Sequence, residues 1–270
     1  MLWRATKFIG KVLVVYPAKG LWKGSSYLVQ KGRKYRAEKA AEQETERKEQ
    51  QRPKVEAMYS NVAEVQPLQG TFSSFEGKLL HNKSTIGLIL GARGTGKSAL
   101  GMRLLENVAA KTTKKVYAMG FQPESLPPWI SVVHSIDEIK NNSVILIDEG
   151  GIEFSSRKAM SNPNKLLSEI LLIARHKDLS VIFITQNSAN LEINAIRQAD
   201  YLLLKPSSLL QKDFERKKIK EMYSEVEKEF SELKGEVGLT YVYADNYRGF
   251  VTNNLPSFWS EGVSKGYAKR

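Results

Sequence analysis

Residues 91 to 98 read Gly91-Ala92-Arg93-Gly94-Thr95-Gly96-Lys97-Ser98, and no other stretch restricts the fold of this chain as strongly. The spacing is G-x-x-x-x-G-K-S, the pattern of a phosphate-binding loop. Its surroundings fit. Thr85 to Leu90 is a short apolar run that predicts a buried strand, and Leu100, Leu104, Leu105 and Val108 recur at helical spacing within 99–111. A glycine loop between a strand and a helix lets the backbone wrap a polyphosphate, with successive N–H groups turned inward and the helix N-terminus adding partial positive charge. In such a loop Gly91 to Ser98 contact the phosphates, Lys97 reaches the β- and γ-phosphates, and the Ser98 hydroxyl binds Mg²⁺. The expected cofactors are therefore ATP and Mg²⁺.

A second apolar run ends in acid. Ser143-Val-Ile-Leu-Ile-Asp-Glu149 predicts a buried strand that delivers Asp148 and Glu149 at its C-terminal end, where parallel α/β sheets bind their ligands. Placed after a phosphate loop, Asp148 would complete the Mg²⁺ shell and Glu149 would polarise the attacking water. Asp-Glu-Gly-Gly is also good turn chemistry, so the motif takes its meaning from its position. The run Ser180 to Thr185 is a further strand, and Gln186 follows it. An amide there can orient water beside the terminal phosphate, or simply cap the next loop. Arg175 and His176 close a helical stretch, 164–175, that precedes this strand.

Strands and helices alternate from 84 to 206, which predicts an α/β domain with a mainly parallel sheet flanked by helices. Beyond Pro206 the spacing of Leu209, Phe214, Ile219, Met222, Tyr223, Val226 and Phe230 predicts one long helix over 207–234 with a packing face. Two strands around Asp245-Asn246 read as a hairpin that extends the sheet. Residues 67–82, with Gly70, Ser73, Ser74 and Gly77, read as a loop or short edge structure. Between 136 and 141 a short helix is expected, with Ser135 as its cap.

The N-terminal part is different. Residues 1–36 hold nine Lys or Arg and no acid, interleaved with Trp3, Phe8, Tyr16, Trp22, Tyr27 and Tyr35. Three readings stay open: an interfacial membrane contact, a nucleic-acid-binding arm, or an element packed on the main domain with a basic side. Residues 33–52 alternate both charge signs with almost nothing apolar, so they form a solvated helix or linker, with pairs such as Glu44 and Lys48 at i,i+4. The expected organisation is an arm and charged linker over 1–66, an ATPase core over 67–206, and a C-terminal helix and hairpin over 207–270. The net charge of +12 favours polyanionic partners. There is no cysteine, which excludes a disulfide framework and cysteine-bound metal. No apolar run approaches the ~20 residues of a membrane-spanning helix, and none reads as a signal peptide.

The order Gly91–Ser98, Ile147-Asp148-Glu149, Ala174-Arg175-His176 and Val181-Ile-Phe-Ile-Thr-Gln186 resembles the FtsK/HerA superfamily of P-loop ATPases. It is most similar to the branch of viral genome-packaging ATPases and filamentous-phage assembly (Zot-like) ATPases. The likeness covers about 84–206. It implies a RecA-like (ASCE) sheet with the glutamine strand between the phosphate-loop strand and the carboxylate strand, so that Gln186 stands by the γ-phosphate. It also implies a homo-oligomeric ring, commonly a hexamer, translocating double-stranded DNA, with an arginine supplied by the neighbouring subunit. Arg175 occupies that position; Arg197 and Arg157 are rivals, and a cation at a helix C-terminus is favourable without any such role. A cytoplasmic or virion-associated location is expected, with a peripheral place at a membrane's inner face as the variant in which residues 1–36 touch lipid. A membrane-associated assembly ATPase and a nucleotide-dependent switch remain the other function classes, and Glu149 speaks against the switch.

Overall fold

The computed structural model describes residues 30–31, 33–148, 163–191 and 193–264. The chain divides into two compact units, 1–51 and 52–270. In the first, residues 33–51 form a helix, α1, exposed along its whole length. Its polar sequence leaves it no face to bury, and its pairs lie at the surface: Lys48 meets Glu44 at 2.8 Å.

The second unit is built on a nine-stranded sheet. Its strands are β1 (Ala63–Gly70), β2 (Ile86–Leu90), β3 (Lys115–Met119), β4 (Ile130–Val132), β5 (Ser143–Asp148), β6 (Leu179–Thr185), β7 (Tyr201–Leu204), β8 (Thr240–Ala244) and β9 (Tyr247–Thr252). The order across the sheet is β1-β9-β8-β7-β2-β6-β5-β3-β4. From β7 to β4 every pair is parallel, and β8, β9 and β1 are added antiparallel. The parallel strands are covered on both faces, which explains why β2, β5 and β6 read as unbroken apolar runs rather than alternating ones. Leu88, Leu90, Ile145, Ile147 and Phe183 enter one core, and Ile89, Leu146, Ile182 and Ile184 the other.

Helices α2 (Phe72–His81) and α3 (Lys97–Lys111) cover the second face with Phe72, Phe75, Leu100, Leu104 and Leu105. Helix α4 (Pro163–His176) and the short α5 (Ile193–Arg197) cover the first with Leu167, Ile170, Ala174 and Ala195. Both faces being covered, the sheet offers its C-terminal edge to ligands. The α/β class expected from the alternation, with a mainly parallel sheet flanked by helices, is what the structure has. The sheet order also places β6 between β2 and β5, as the resemblance implies.

Three local expectations change or sharpen. Of the two readings of 67–82, loop or short edge structure, the second holds for 67–70, the end of edge strand β1 paired with β9, while the helix α2 over 72–81 is new. Strand β1 hides in the sequence because it is an edge strand, exposed, carrying Pro67 and two register shifts. Residues 207–234 are not one helix but three: α6 (Leu209–Phe214), α7 (Lys217–Glu225) and α8 (Glu227–Glu232). The first break falls at Glu215-Arg216, whose side chains are engaged elsewhere. The Glu215 carboxylate accepts from Ser188 N at 2.9 Å and from the Ser188 hydroxyl, while Arg216 donates to the carbonyls of Ser188 at 3.0 Å and Leu191 at 2.7 Å. The expected cap at Ser135 is present, as a capping box with Glu138 on a 3₁₀ turn, Ile136–Glu138. A last short helix, α9 (Glu261–Ser264), closes the described chain.

Candidate active site

The glycine loop leaves the C-terminal end of β2 and enters α3. Its shape rests on positive φ angles at Gly94 (+79°) and Gly96 (+86°), a region that costs other residues strain. A Cβ at either would meet nothing within 4 Å, so the space inside the loop is open. That is a cradle with room for a polyphosphate, and α3 is long enough to bring a full helix dipole and its first free N–H groups to it.

Gly91 has a different reason. A Cβ there would sit 2.5 Å from Cβ of Lys205, because the end of β7 passes directly behind the loop. Ala92 N donates to Pro206 O at 3.0 Å, which ties the loop to that strand end. Lys97 is buried, and its ammonium bridges the carbonyls of Gly91 and Ala92 at 2.8 Å each. The positive charge thus lies against the loop itself, ready to turn to phosphate oxygens. Thr95 donates to Ala92 O at 2.8 Å and tightens the turn. Arg93 is exposed at the outer side of the loop.

Strand register brings the other groups to the same edge. Leu90 pairs with Thr185, and Asp148 pairs with Ile184. Gly91 and Gln186 therefore leave adjacent strands at one level, and Asp148 sits one strand further on, about 10 Å from the β2 end at ~4.8 Å per strand. Asp148 is half-buried, as is Ser98 in the first turn of α3. A hydroxyl and a carboxylate are hard oxygen donors, the set Mg²⁺ prefers when phosphates complete its shell. Gln186 is exposed, and its backbone carbonyl accepts from the Gln211 side-chain amide. Glu149 and Arg157 lie outside the described residues.

Arg175 is not brought to this edge. It is exposed in the last turn of α4, and the chain then turns through Lys177 and Asp178, whose carbonyls accept from Asn142 N and Ser143 N at the start of β5. Arg175 therefore stands at the N-terminal edge of the sheet, a full strand length, roughly 20 Å, from its own loop. Arg197 ends α5 at that same edge, just before Asp200 N donates to Ile86 O. Neither arginine can reach the phosphate loop of its own chain.

The structure adds residues that the sequence did not single out. Lys205 is buried at the end of β7, where burial pushes its ammonium pKa down to about 7. Its Nζ donates to Gly238 O at 2.7 Å and lies 3.4 Å from Asn253 Oδ1. A lysine directly after four buried strand residues is the one signal that could have marked it. Gln211, Glu215 and Arg216 hold the 186–191 loop behind the glutamine, and an adjacent acid–base pair inside a helical pattern gave no such sign.

Residues 98–203 match the sequence model of the family described as zonular occludens toxin (Zot), a P-loop ATPase family of phage assembly. The resemblance read from the ordered motifs and this match fall on the same part of the chain. Among solved structures, the genome packaging NTPase B204 from Sulfolobus turreted icosahedral virus 2, in complex with ATP-gammaS, aligns at 17% identity and a TM-score of 0.42, over 64% of this chain and 99% of that one. EssC (ATPases 2 and 3) from Geobacillus thermodenitrificans aligns at 11% identity and a TM-score of 0.40, over 78% of this chain and 48% of that one. Among curated proteins, none matches this sequence.

Proposed function

We propose that this protein is a Mg²⁺-dependent ATPase that drives double-stranded DNA through a ring of its own copies during viral or mobile-element genome packaging. One observation carries the reading: β2, β6 and β5 are neighbours, and the cradle, Gln186 and Asp148 leave the same edge of the sheet. Phosphates would lie in Gly91–Ser98, with Lys97 exchanging the Gly91 and Ala92 carbonyls for phosphate oxygens. Ser98 and Asp148 would hold Mg²⁺, which supplies neutralising charge on the phosphates when bound. Glu149 takes the role of general base and Gln186 that of water-orienting amide. Arg175, too far from its own loop, would serve the site of a neighbouring copy, where an arginine is worth about 10³–10⁵ in rate in related NTPases.

In this reading 67–206 carries the chemistry, 207–270 braces it, and residues 1–36 handle the cargo. Residues 52–66, expected with the arm, belong instead to the core unit, where β1 joins the sheet. Nine cations without an acid in residues 1–36 suit phosphate contacts that hold DNA without reading sequence. The protein would act in the cytoplasm or on the virion.

Mixing two inactive variants tests the ring. Lys97→Ala and Arg175→Ala should each lower hydrolysis by about 10² or more alone, yet regain part of it together, because mixed rings contain sites with an intact loop facing an intact arginine. No recovery on mixing, with both proteins oligomeric, overturns the role in trans. Glu149→Gln should bind ATP and hardly hydrolyse it; wild-type turnover would remove Glu149 from the chemistry. Hydrolysis should also rise with double-stranded DNA at low salt and lose that response as salt increases.

The match to the Zot model favours a second reading, a membrane-associated ATPase of filamentous-virus assembly. Among the described residues no helix is long and apolar enough to cross a membrane. In this reading the basic and aromatic residues of 1–36, whose longest apolar piece is Val12–Tyr16, would make a peripheral contact. Flotation of the full chain with anionic vesicles, lost on deleting 1–36 while DNA-stimulated hydrolysis persists, would select this reading over the first.

A further inference from the structure

A cavity of about 350 Å³ opens beside the phosphate loop, on the side away from Asp148 and Gln186. Its walls include Thr95 from the loop, Pro206 after β7, Phe230 from α8 and Leu239 before β8, with the carboxylates of Glu227 and Glu236 also lining it. That volume is in the range of small-ligand sites. The position follows from the sheet order. Strand β7 flanks β2 on one side and β6 flanks it on the other. A nucleotide laid across the loop with its terminal phosphate toward β6 and β5 has its nucleoside directed toward β7, where this cavity lies.

The cavity is braced from behind. Phe230 is half-buried and its ring is held by Phe250, edge-on with centroids 5.1 Å apart, and by Tyr223 at 6.3 Å. Tyr223 donates to Lys205 O at 3.0 Å, and Lys205 N donates to Leu90 O at 2.7 Å. The ring is thus linked through two residues to the last residue before the cradle. Gly238, also in the wall, has φ of +77°, and a Cβ there would lie 2.4 Å from Asn253 O, so the wall admits no side chain at that point. Lys205 Nζ, on Gly238 O, ties the same wall to β7.

We propose that this cavity seats the base and ribose of the bound nucleotide, with Phe230 as the stacking wall. This rests on reading Gly91–Ser98 as the triphosphate cradle. Leu239 and Pro206 supply the apolar sides. Carboxylates only accept hydrogen bonds, so Glu236 suits a ribose hydroxyl or an exocyclic amine; Glu227 already accepts from Lys212 Nζ at 2.7 Å, and Lys234 adds a cation to the lining. Apart from Thr95, the cavity is formed by residues beyond 203, outside the part of the chain that matches the Zot model. The C-terminal segment therefore has a task of its own at the site: it recognises the nucleoside that the loop cannot distinguish.

Calorimetric titration of the full chain with ATP, and separately with inorganic tripolyphosphate, tests this. Ser231 is exposed and lines the cavity, so Ser231→Trp fills it without disturbing the core, and Phe230→Ala removes the stacking wall. Each variant should raise the Kd for ATP about tenfold or more, the scale of one base–aromatic stack. Each should leave the Kd for tripolyphosphate within about twofold. Unchanged ATP affinity in both variants, with tripolyphosphate still bound, overturns the nucleoside pocket and leaves the cradle intact. Parallel weakening of both ligands overturns it as well, since the effect is then on the loop. A wild-type protein that binds neither ligand defeats the cradle, and the pocket with it.

Discussion

Helix α3 carries polar side chains in two places, and they behave in opposite ways. In its middle, Arg103, Glu106 and Asn107 are buried and joined to segments far away in sequence. Arg103 and Glu106 pair at 2.7 Å. Glu106 also accepts from Met58 N at 3.2 Å, Ser257 N at 3.1 Å and the Ser257 hydroxyl. Arg103 donates to the carbonyls of Met58, Asn254 and Leu255, and Asn107 bonds Ser60 through both its N–H and its carbonyl. This hub fastens the 52–62 run and the C-terminal segment to the helix. At the N-terminus of the same helix, Lys97 bonds the loop it belongs to, and the glycines beside it enclose open space. Where partners come from distant parts of the chain, buried polarity staples the fold; where they are local, it is available to a ligand.

That contrast breaks first at Glu106. Glu106→Ala leaves the Arg103 guanidinium buried without its carboxylate, and the unfolding free energy in urea should fall by about 3–5 kcal/mol. A loss under about 1 kcal/mol accompanied by collapse of nucleotide binding would make the hub part of the site instead. Lys97→Ala should do the reverse. Hydrolysis should drop by about 10²–10³, the usual effect of deleting one donor to developing charge, with urea stability moved by less than about 1 kcal/mol.

Lys205 lies between the two cases, and pH sharpens the comparison there. An unfolded lysine keeps its proton to about pH 10.5, whereas the folded one releases it near 7. Between those values unfolding takes up a proton. This group therefore makes stability rise with pH from about 7 to 10, by at most about 1.4 kcal/mol per unit, and contributes no slope below 7 where both states are charged. In Lys205→Met that part of the slope should vanish; the same slope in both proteins would show that the ammonium is solvated in the folded state. The smallest effect is expected at Gly94. Gly94→Ala places a Cβ in open space at φ +79°, so thermal unfolding should report only the left-handed strain, about 1 kcal/mol, with larger damage to phosphate binding.

Much of this architecture was legible because its causes are local. Interior strands such as Val144–Ile147 and Val181–Ile184 are buried on both faces, so their composition alone marks them. The edge strand β1 was legible only as a loop or short edge structure from 67 on, since exposure removes the apolar signal that marks a strand and its start. The C-terminal helical pattern was read too simply: Phe214, Ile219, Met222 and Val226 keep their spacing across a break made by bonds to Ser188 and Leu191, residues about 25 positions away.

The amino-acid order by itself determined the glycine loop, the strand before it, the helix after it and the strands that end at Asp148 and Thr185. Glycine spacing and hydrophobic period act between near neighbours in the chain. Tertiary structure decided that β6 lies between β2 and β5, that Arg175 stands a strand length from its own cradle, and that Phe230 forms a wall beside Thr95. Backbone hydrogen bonds between strands are the same whatever the residues, so which strand neighbours which is settled only when the whole sheet packs between its two layers of helices.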